Sequence, residues 1–412
     1  MIMKFLKLTL AVLLASFLFS TSATAGPKII RLAAVGDIML GRQDDEAAAA
    51  FAELMPYLQD RQVVIGNLEG PLTDRGAPSK VPVEGVSYVF RTPPHYVERL
   101  KEAGFTIMSL ANNHLNDYGP AGREQTIAVL EEAGLLHTGA PAQVARQKVG
   151  RHTVAVIGLA PNQGCQDIND IPAAAALVRQ EAAKPKTLVV VVFHGGAEGP
   201  GSIYVPHGME TFLGERRGDL RLLGRELIDA GAHLVIGHGP HVPRGLEIYK
   251  DRLIAYSLGN FATGRGISSS GRNGLAPLLL VDITVKGELA GGRILSFRQN
   301  QPGQVSLDPD NEAVKLMHKL SLTDFELPGL DPDGRLVTSD SAALLMASTL
   351  PRPPRPQVVR AAAVRKAPAA PPAQTQLASS ADPVPAPSKR QTRQPKSGGY
   401  EWDVYADLRT KL

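Results

Sequence analysis

The chain has 412 residues, a net charge of +4 and a single cysteine, Cys165, which excludes an internal disulfide. This length accommodates one large α/β domain with appendages, or two average domains. The basic residues are concentrated near the C-terminus and the body carries a small acidic excess, which argues against a nucleic-acid-binding domain and predicts no nucleic-acid partner.

Residues 1–25 have the pattern of a secretory signal peptide. Lys4 and Lys7 precede an apolar run over 8–19, and small residues at 23–25 offer a cleavage site near Ala25. A run of about a dozen apolar residues is short for a bilayer span. We therefore expect an exported protein that is periplasmic or associated with the cell envelope.

Strand-like and helix-like segments alternate from residue 26 onward, followed by a strand-rich end. The predicted strands are 29–35, 63–65, 106–110, 153–158, 187–193 and 234–236, then 245–249, 253–257, 278–285 and 292–298. The predicted helices are 44–58, 94–103, 121–133, 172–183 and 209–230. This pattern predicts an α/β fold, a sheet sandwich with helices on its outer faces, over 26–305, with 306–350 as an extension of the body.

Polar residues follow five of the predicted strands at the point where each strand ends. They are Asp37, then Asn67 and Glu69, then Asn112, Asn113, His114 and Asp117, then His194 and Glu198, and finally His238 and His241. Asp and Asn are common turn residues, so one such loop is weak evidence. Because ligands of open α/β sheets bind at the carboxyl ends of strands, five loops together predict a functional crevice.

Carboxylates, amide oxygens and imidazoles form a mixed oxygen and nitrogen ligand set. This set suits Mn, Zn, Fe or Mg rather than metals selected by thiolates. A divalent metal in the crevice would polarise a bound ester, and a spare histidine would act as general acid.

Six motifs spread over about residues 30–300 carry a family resemblance. The series GDIMLGR, GNLEGPLTDRG, SLANNHLNDYG, FHGGAEG, GAHLVIGHGPHV and IAYSLGNF resembles the poly-γ-glutamate capsule synthesis protein CapA family, whose domain looks like the calcineurin-type metallophosphatase fold. The resemblance implies a metallophosphatase-like β-sandwich flanked by helices, with four layers in the order α-β-β-α.

The resemblance also implies roles for individual residues. It places the divalent metal on Asp37, Glu69, Asn113, His194, His238 and His241, and makes His114 the acid. Asp117 either orients His114 through a hydrogen bond or caps the following helix. For substrate binding we expect Arg42, Asn67, Asn112, Glu198 and Asn260.

The chain departs from the family pattern at several positions. Met39 replaces a metallophosphatase histidine, Glu69 stands in for a bridging Asp, and Gly195 and Gly239 replace a Trp and a His that the closer family usually has. Three alternatives therefore remain: a site with two metals and ordinary phosphatase chemistry, a site with one metal, and a site that binds a ligand without catalysis.

Two function classes follow from these observations. The first is a metal-dependent hydrolase of a phosphoester or a γ-linked glutamyl amide, acting in the synthesis, anchoring or processing of an anionic capsule or envelope polymer. The second is a non-catalytic component that binds or tethers such a polymer.

The C-terminal tail is compositionally separate from the body. Residues 351–399 hold nine Lys or Arg against Asp382 alone and are rich in Pro and Ala, which predicts a disordered basic linker. Residues 400–412 regain aromatic residues and form a possible docking element. Such a tail would contact an anionic membrane surface, lipopolysaccharide or polymer by charge.

Overall fold

The computed structural model describes residues 28–41, 51–81, 88–264, 268–301, 303–338 and 341. All of them belong to one compact unit, Met1–Pro351. The predictions for the signal peptide, for Arg42 and for the tail over 351–412 lie outside the described residues. No helix in the described part of the chain is long and apolar enough to cross a membrane.

The first sheet has eight strands. Their bounds are β1 Ile29–Met39, β2 Val63–Leu68, β3 Ile107–Ser109, β4 Leu136–Thr138, β14 Asn260–Thr263, β15 Leu275–Thr284, β16 Leu289–Gln301 and β17 Gln304–Leu307. The spatial order is β17-β16-β15-β1-β2-β3-β4, with β14 paired to β1. Strands β1 to β4 run parallel to one another, whereas β15 to β17 are antiparallel.

The second sheet has seven strands. Their bounds are β5 Val144–Val149, β6 His152–Ala160, β7 Gln166–Asp167, β8 Thr187–His194, β11 Leu234–His238, β12 Leu246–Tyr249 and β13 Arg252–Ala255. The spatial order is β12-β13-β11-β8-β6-β5, with β7 paired to β6, and the central strands β6, β8, β11 and β13 are parallel. A separate two-stranded hairpin consists of β9 Thr211–Phe212 and β10 Glu215–Arg216.

The described residues also form six α-helices and two short 3-10 turns, of which the last helix follows the last strand. The helices are α1 Met55–Leu58, α2 Val97–Ala103, α3 Gly119–Ala133, α4 Ile171–Ala182, α5 Leu220–Asp229 and α6 Glu312–Asp324. The 3-10 turns are Pro94–Tyr96 and Gly271–Gly274.

Successive side chains of a strand point to opposite faces of its sheet, so most buried apolar residues lie in three large clusters, one between the sheets and one on the outer face of each sheet. Leu32 and Ile65 point between the sheets and meet Val190 and Ile236 of the second sheet. Alternate residues of the first sheet pack with helices α1, α2 and α3, and those of the second sheet pack with α4 and α5. The layers are therefore helix, sheet, sheet, helix, and the predicted α/β sandwich flanked by helices is confirmed.

Parallel pairing brings the strand ends that carry polar residues to one edge. Asp37 of β1 pairs in register with Asn67 of β2 and with Asn260 of β14. In the second sheet His194 of β8 pairs with His238 of β11. Since the two sheets face each other, both sets meet at the same end of the sandwich.

The predicted helix 209–230 is wrong in its first half. The described chain forms the β9–β10 hairpin there, because Gly214 and Gly218 adopt positive φ angles of 82° and 98° that break a helix. Helix α5 starts after Asp219, whose side chain accepts a hydrogen bond from Leu222 N at 3.1 Å. The predicted helix 44–58 is helical only over Met55–Leu58, and residues 42–50 lie outside the described part.

Candidate metal centre

Asp37, at the end of β1, is fully buried and held by two side chains. Asn67 donates from Nδ2 to Asp37 Oδ1 at 2.8 Å, and His241 donates from Nδ1 to Asp37 Oδ2 at 3.0 Å. Burial alone would raise the pKa of Asp37, but the hydrogen bond from His241 and the nearby imidazoles hold it well below its usual range. Asp37 is therefore a carboxylate at neutral pH.

Glu69 follows β2 and presents a buried carboxylate with no hydrogen-bond partner among the described residues on either oxygen. Its Oε1 is surrounded by imidazole Nε2 atoms, at 3.6 Å from His194, 3.7 Å from His241 and 4.0 Å from His114. Burial first, and then the charge of Asp37, raise the pKa of Glu69 well above its usual value.

His194 and His238 occupy paired positions on neighbouring strands but have different surroundings. His194 Nε2 is buried without a partner in the described chain and faces Glu69, and burial lowers the pKa of His194 well below its usual value. Both ring nitrogens of His238 face backbone carbonyls instead, Val35 O at 3.0 Å and Phe193 O at 3.3 Å. His194 is therefore the ring with an unpartnered nitrogen, and metal binding by His238 stays a prediction.

His241 lies in the loop after β11 with a left-handed φ of 60°. Its Nδ1 is 3.0 Å from Asp37 Oδ2 and 3.1 Å from Asn260 Oδ1, and its Nε2 is 3.7 Å from both Glu69 Oε1 and Glu198 Oε2. Burial alone would lower the pKa of His241, but Glu69 and the hydrogen bond to Asp37 raise it to about 10. His241 thus lies between the carboxylates of Asp37, Glu69 and Glu198, and metal binding by His241 stays a prediction.

His114 and Asp117 form a buried pair in the loop after β3. The His114 Nδ1 atom lies 2.7 Å from Asp117 Oδ2, and the Nε2 atom points toward Glu69. Burial lowers the pKa of His114 although Asp117 opposes the shift. Asp117 does not cap the following helix, whose N-cap is Tyr118, so of the two predicted alternatives the structure favours orientation of His114.

The asparagines of the site have three different positions. Asn112 donates from Nδ2 to Asn67 Oδ1 at 3.1 Å and to Leu68 O at 2.8 Å, so it fixes the Asn67 side chain that binds Asp37. Asn113 Oδ1 is buried and has no partner among the described residues, as a ligand atom would be. Asn260 accepts from His241 and donates to Asn273 O at 3.3 Å, which fixes the loop.

Glu198 faces the site from the loop after β8 and is held by a buried arginine. Arg217, whose side chain is 1% exposed, donates from Nη2 to Glu198 Oε1 at 2.6 Å. The other carboxylate oxygen is the one that approaches His241. Arg217 was not predicted from the sequence, since an arginine in a loop beside other charges gives no local signal of burial.

The residues fit a divalent cation. One ligand atom each from Asp37, Glu69 and His194 lies within 4.8 Å of the others, and all three residues are buried. His194 Nδ1 contacts Asn67 Nδ2 at 3.3 Å, but His194 Nε2 and both Glu69 oxygens are buried without a partner in the described chain. Leaving these atoms unpaired is costly, and a cation between them would satisfy both residues. The donor set of oxygen and nitrogen suits Mn, Zn, Fe or Mg and does not choose among them.

The sequence is similar to bacterial capsule proteins. Residues 31–265 match the family described as bacterial capsule synthesis protein PGA_cap. The chain is 32% identical over 259 residues to the capsule biosynthesis protein CapA of Bacillus anthracis, covering 56% of this chain and 59% of that protein. It is 29% identical over 265 residues to the PGA biosynthesis protein CapA of Bacillus subtilis, covering 59% and 66%. The match thus spans less than two thirds of each relative.

Two solved structures from Thermus thermophilus are also similar. A hypothetical protein aligns with a TM-score of 0.41 at 17% identity, covering 66% of this chain and 100% of that one. A 5'-nucleotidase precursor aligns with a TM-score of 0.37 at 15% identity, covering 68% and 54%.

Proposed function

Because the chain belongs to the bacterial capsule synthesis protein PGA_cap family, we propose that it is an exported, metal-dependent hydrolase of an anionic envelope polymer. The observation that carries the proposal is the buried convergence of Asp37, Glu69 and His194, whose ligand atoms include unpartnered oxygens and nitrogen. The substrate class is a phosphoester or a γ-linked glutamyl amide. The resemblance of the motifs to the poly-γ-glutamate capsule synthesis family, and the name of the Bacillus subtilis relative, a PGA biosynthesis protein, favour a polymer such as poly-γ-glutamate.

The proposed metal ligands are Asp37, Glu69 and His194, with Asn113 Oδ1 as a further candidate. A divalent cation held there would polarise the scissile ester or amide as a Lewis acid. Asn67 would keep Asp37 aimed at the cation through its 2.8 Å hydrogen bond.

His114 is the proposed proton carrier. Its Nδ1 is engaged by Asp117, so Nε2 is the atom free to take up the proton that the attacking water releases and to give it to the leaving alkoxide or amine. Asp117 would stabilise the imidazolium before transfer and fix the ring orientation. His241 would keep the excess negative charge of the carboxylates compensated while substrate enters.

The paired histidines provide the test of this proposal. His194→Ala and His238→Ala remove buried imidazoles from register-paired positions, but only the first removes an unpartnered ring nitrogen. We expect purified wild type and His238→Ala to contain a divalent metal by elemental analysis, and His194→Ala to lose it. Circular dichroism would verify that both variants are folded.

Hydrolysis assays with the metal restored decide the second half of the proposal. Turnover of a phosphoester or of poly-γ-glutamate by wild type, lost in His114→Ala, is the expected result. Metal without turnover would favour the non-catalytic alternative, in which the same crevice binds polymer. Equal metal content in His194→Ala and wild type would refute the ligand assignment.

A further inference from the structure

The loop between β2 and the first 3-10 turn contacts the His114–Asp117 pair at four points. Ser79 N donates to the backbone oxygen of Asp117 at 2.8 Å, and Phe90 N donates to Asp117 Oδ2 at 2.7 Å. Lys80 Nζ lies 3.0 Å from Asp117 Oδ1. The ring of Phe90 packs on the imidazole of His114, with centroids 4.4 Å apart.

These contacts engage both oxygens of the Asp117 carboxylate. One oxygen receives His114 Nδ1 and Phe90 N, and the other receives the Lys80 ammonium. The Asp117 side chain is 2% exposed and that of Lys80 is 38% exposed, so the ammonium reaches a buried carboxylate from the surface. A charge-assisted contact to a buried group is stronger than one between solvated side chains.

We propose that Lys80 is a positioning residue for His114. By holding Asp117 Oδ1, its ammonium fixes the plane of the carboxylate, so that Oδ2 stays aimed at His114 Nδ1. The imidazole then keeps its proton on Nδ1 and directs Nε2 to the side of Glu69. Without Lys80, Asp117 Oδ1 loses its charged partner, the carboxylate can rotate, and the orientation of His114 is no longer unique.

The catalytic consequence rests on the proposed hydrolase function, whereas the hydrogen bond itself does not. Loss of a group that hydrogen-bonds a metal ligand typically lowers activity about 10- to 100-fold, and for the more indirect contact of Lys80 we take the lower end of this range. We expect Lys80→Met to lower kcat by about tenfold with KM nearly unchanged, because Lys80 acts through His114. Lys80→Arg keeps a cation at the same place and should restore most of the loss.

The chain contains a matched control pair. Glu181, in the last turn of helix α4, forms an ion pair at 2.6 Å with Lys184, which follows that helix. Their side-chain exposures of 1% and 43% resemble those of Asp117 and Lys80. Glu181 also has a second partner, the cation Arg146, whereas the second partner of Asp117 is the His114 imidazole. Lys184→Met therefore removes a comparable surface-to-buried ion pair from a different part of the fold.

The experiment is proton NMR of the full-length protein labelled with ¹⁵N-histidine. The Nδ1–H signal of His114, assigned by its absence in His114→Ala, should lie far downfield in wild type because it is hydrogen-bonded to a carboxylate. We expect it to shift or broaden in Lys80→Met, to return in Lys80→Arg, and to be unchanged in Lys184→Met.

An unchanged His114 signal in Lys80→Met would overturn the proposal whether or not the protein hydrolyses anything. A His114 signal that differs from wild type in Lys80→Arg would also overturn the proposal. This second comparison needs no Lys80→Met protein, so it can be made even if Lys80→Met does not fold. A shifted signal in a protein that holds no metal and turns over neither substrate would support the positioning role and refute the hydrolase function.

Discussion

Replacing Glu69 by Gln should make the metal-free protein more stable and remove its stabilisation by metal. Glu69 is fully buried, and neither carboxylate oxygen has a hydrogen-bond partner in the described structure. Burial and Asp37 raise its pKa. A raised carboxyl pKa contributes stability that is complete below the unfolded pKa and is lost as pH rises, so at neutral pH Glu69 makes the metal-free fold less stable than a neutral residue of the same shape would.

The size of the effect follows from the surroundings of Glu69. An unpaired buried polar group costs about 1–3 kcal/mol and a charged one costs more, so Gln, which keeps the shape without an ionisable group, should recover about 1–3 kcal/mol. For a domain of this size one kcal/mol corresponds to about 2 °C in Tm, so we expect metal-free Glu69→Gln to melt about 2–6 °C above metal-free wild type.

Added metal should stabilise wild type but not Glu69→Gln. At a free metal concentration of about 100 times Kd, wild type gains about 2.7 kcal/mol, or roughly 5 °C, by mass action. Glu69→Gln has lost a ligand and should gain close to nothing. The assay is thermal unfolding followed by circular dichroism at about pH 7.5, with chelator and then with excess Mn²⁺ or Zn²⁺.

Glu247 provides the control for this substitution. It is also a buried glutamate, but Arg225 Nε donates to it at 3.0 Å and Tyr256 Oη donates to it at 2.7 Å. Glu247→Gln should therefore destabilise the protein and leave the metal increment intact. A metal-free Glu69→Gln less stable than wild type, or one with the full metal increment, would refute our account of Glu69.

Three further predictions concern other parts of the molecule. Gly239→Ala should destabilise the fold by more than about 1 kcal/mol, because φ at Gly239 is 114° and a Cβ there would lie 2.6 Å from Gly195 O. Gly199→Ala is the control, since φ at Gly199 is 100° but a Cβ there meets no atom within 4 Å. Equal chemical denaturation midpoints for the two variants would contradict this prediction. Burial lowers the pKa of His233 to about 4, so its contribution to stability should be lost as pH falls from 6.5 toward 4. In His233→Gln the free energy of unfolding should therefore depend less steeply on pH in that window. The same slope in wild type and variant would refute this prediction. Deleting 351–412 should abolish binding to anionic vesicles in a salt-dependent way while the unfolding temperature of the body stays constant, and binding that survives deletion would exclude the basic tail as the contact.

The position of the candidate site could be predicted because its residues follow strand cores with strong local signals. The apolar run that ends at Phe193 predicts a buried strand, and His194 follows it directly. The run that ends at Ile65 likewise leads to Asn67 and Glu69. Parallel strands share one carboxyl edge, so the order of the motifs sufficed to bring these side chains together.

The different contacts of His194 and His238 could not be predicted from the sequence. His194 and His238 follow similar strands and lie at paired register positions. Their difference arises because Val35 O, far away in the sequence on the other sheet, lies 3.0 Å from His238 Nε2. A contact between sheets leaves no trace in the sequence around either histidine. The same limit applies to Lys80 and Arg217, which act on residues in other loops.

The glycines at 195 and 239 belong to one packing arrangement rather than two independent departures from the family pattern. A Cβ on Gly239 would lie 2.6 Å from the backbone oxygen of Gly195, and a Cβ on Gly195 would lie 2.7 Å from Arg217 O. Gly196 N donates to that same Arg217 oxygen at 2.8 Å, and the Arg217 side chain holds Glu198. A larger residue at either glycine therefore displaces the segment that places Glu198 beside His241, so neither residue can be enlarged without rebuilding this side of the site.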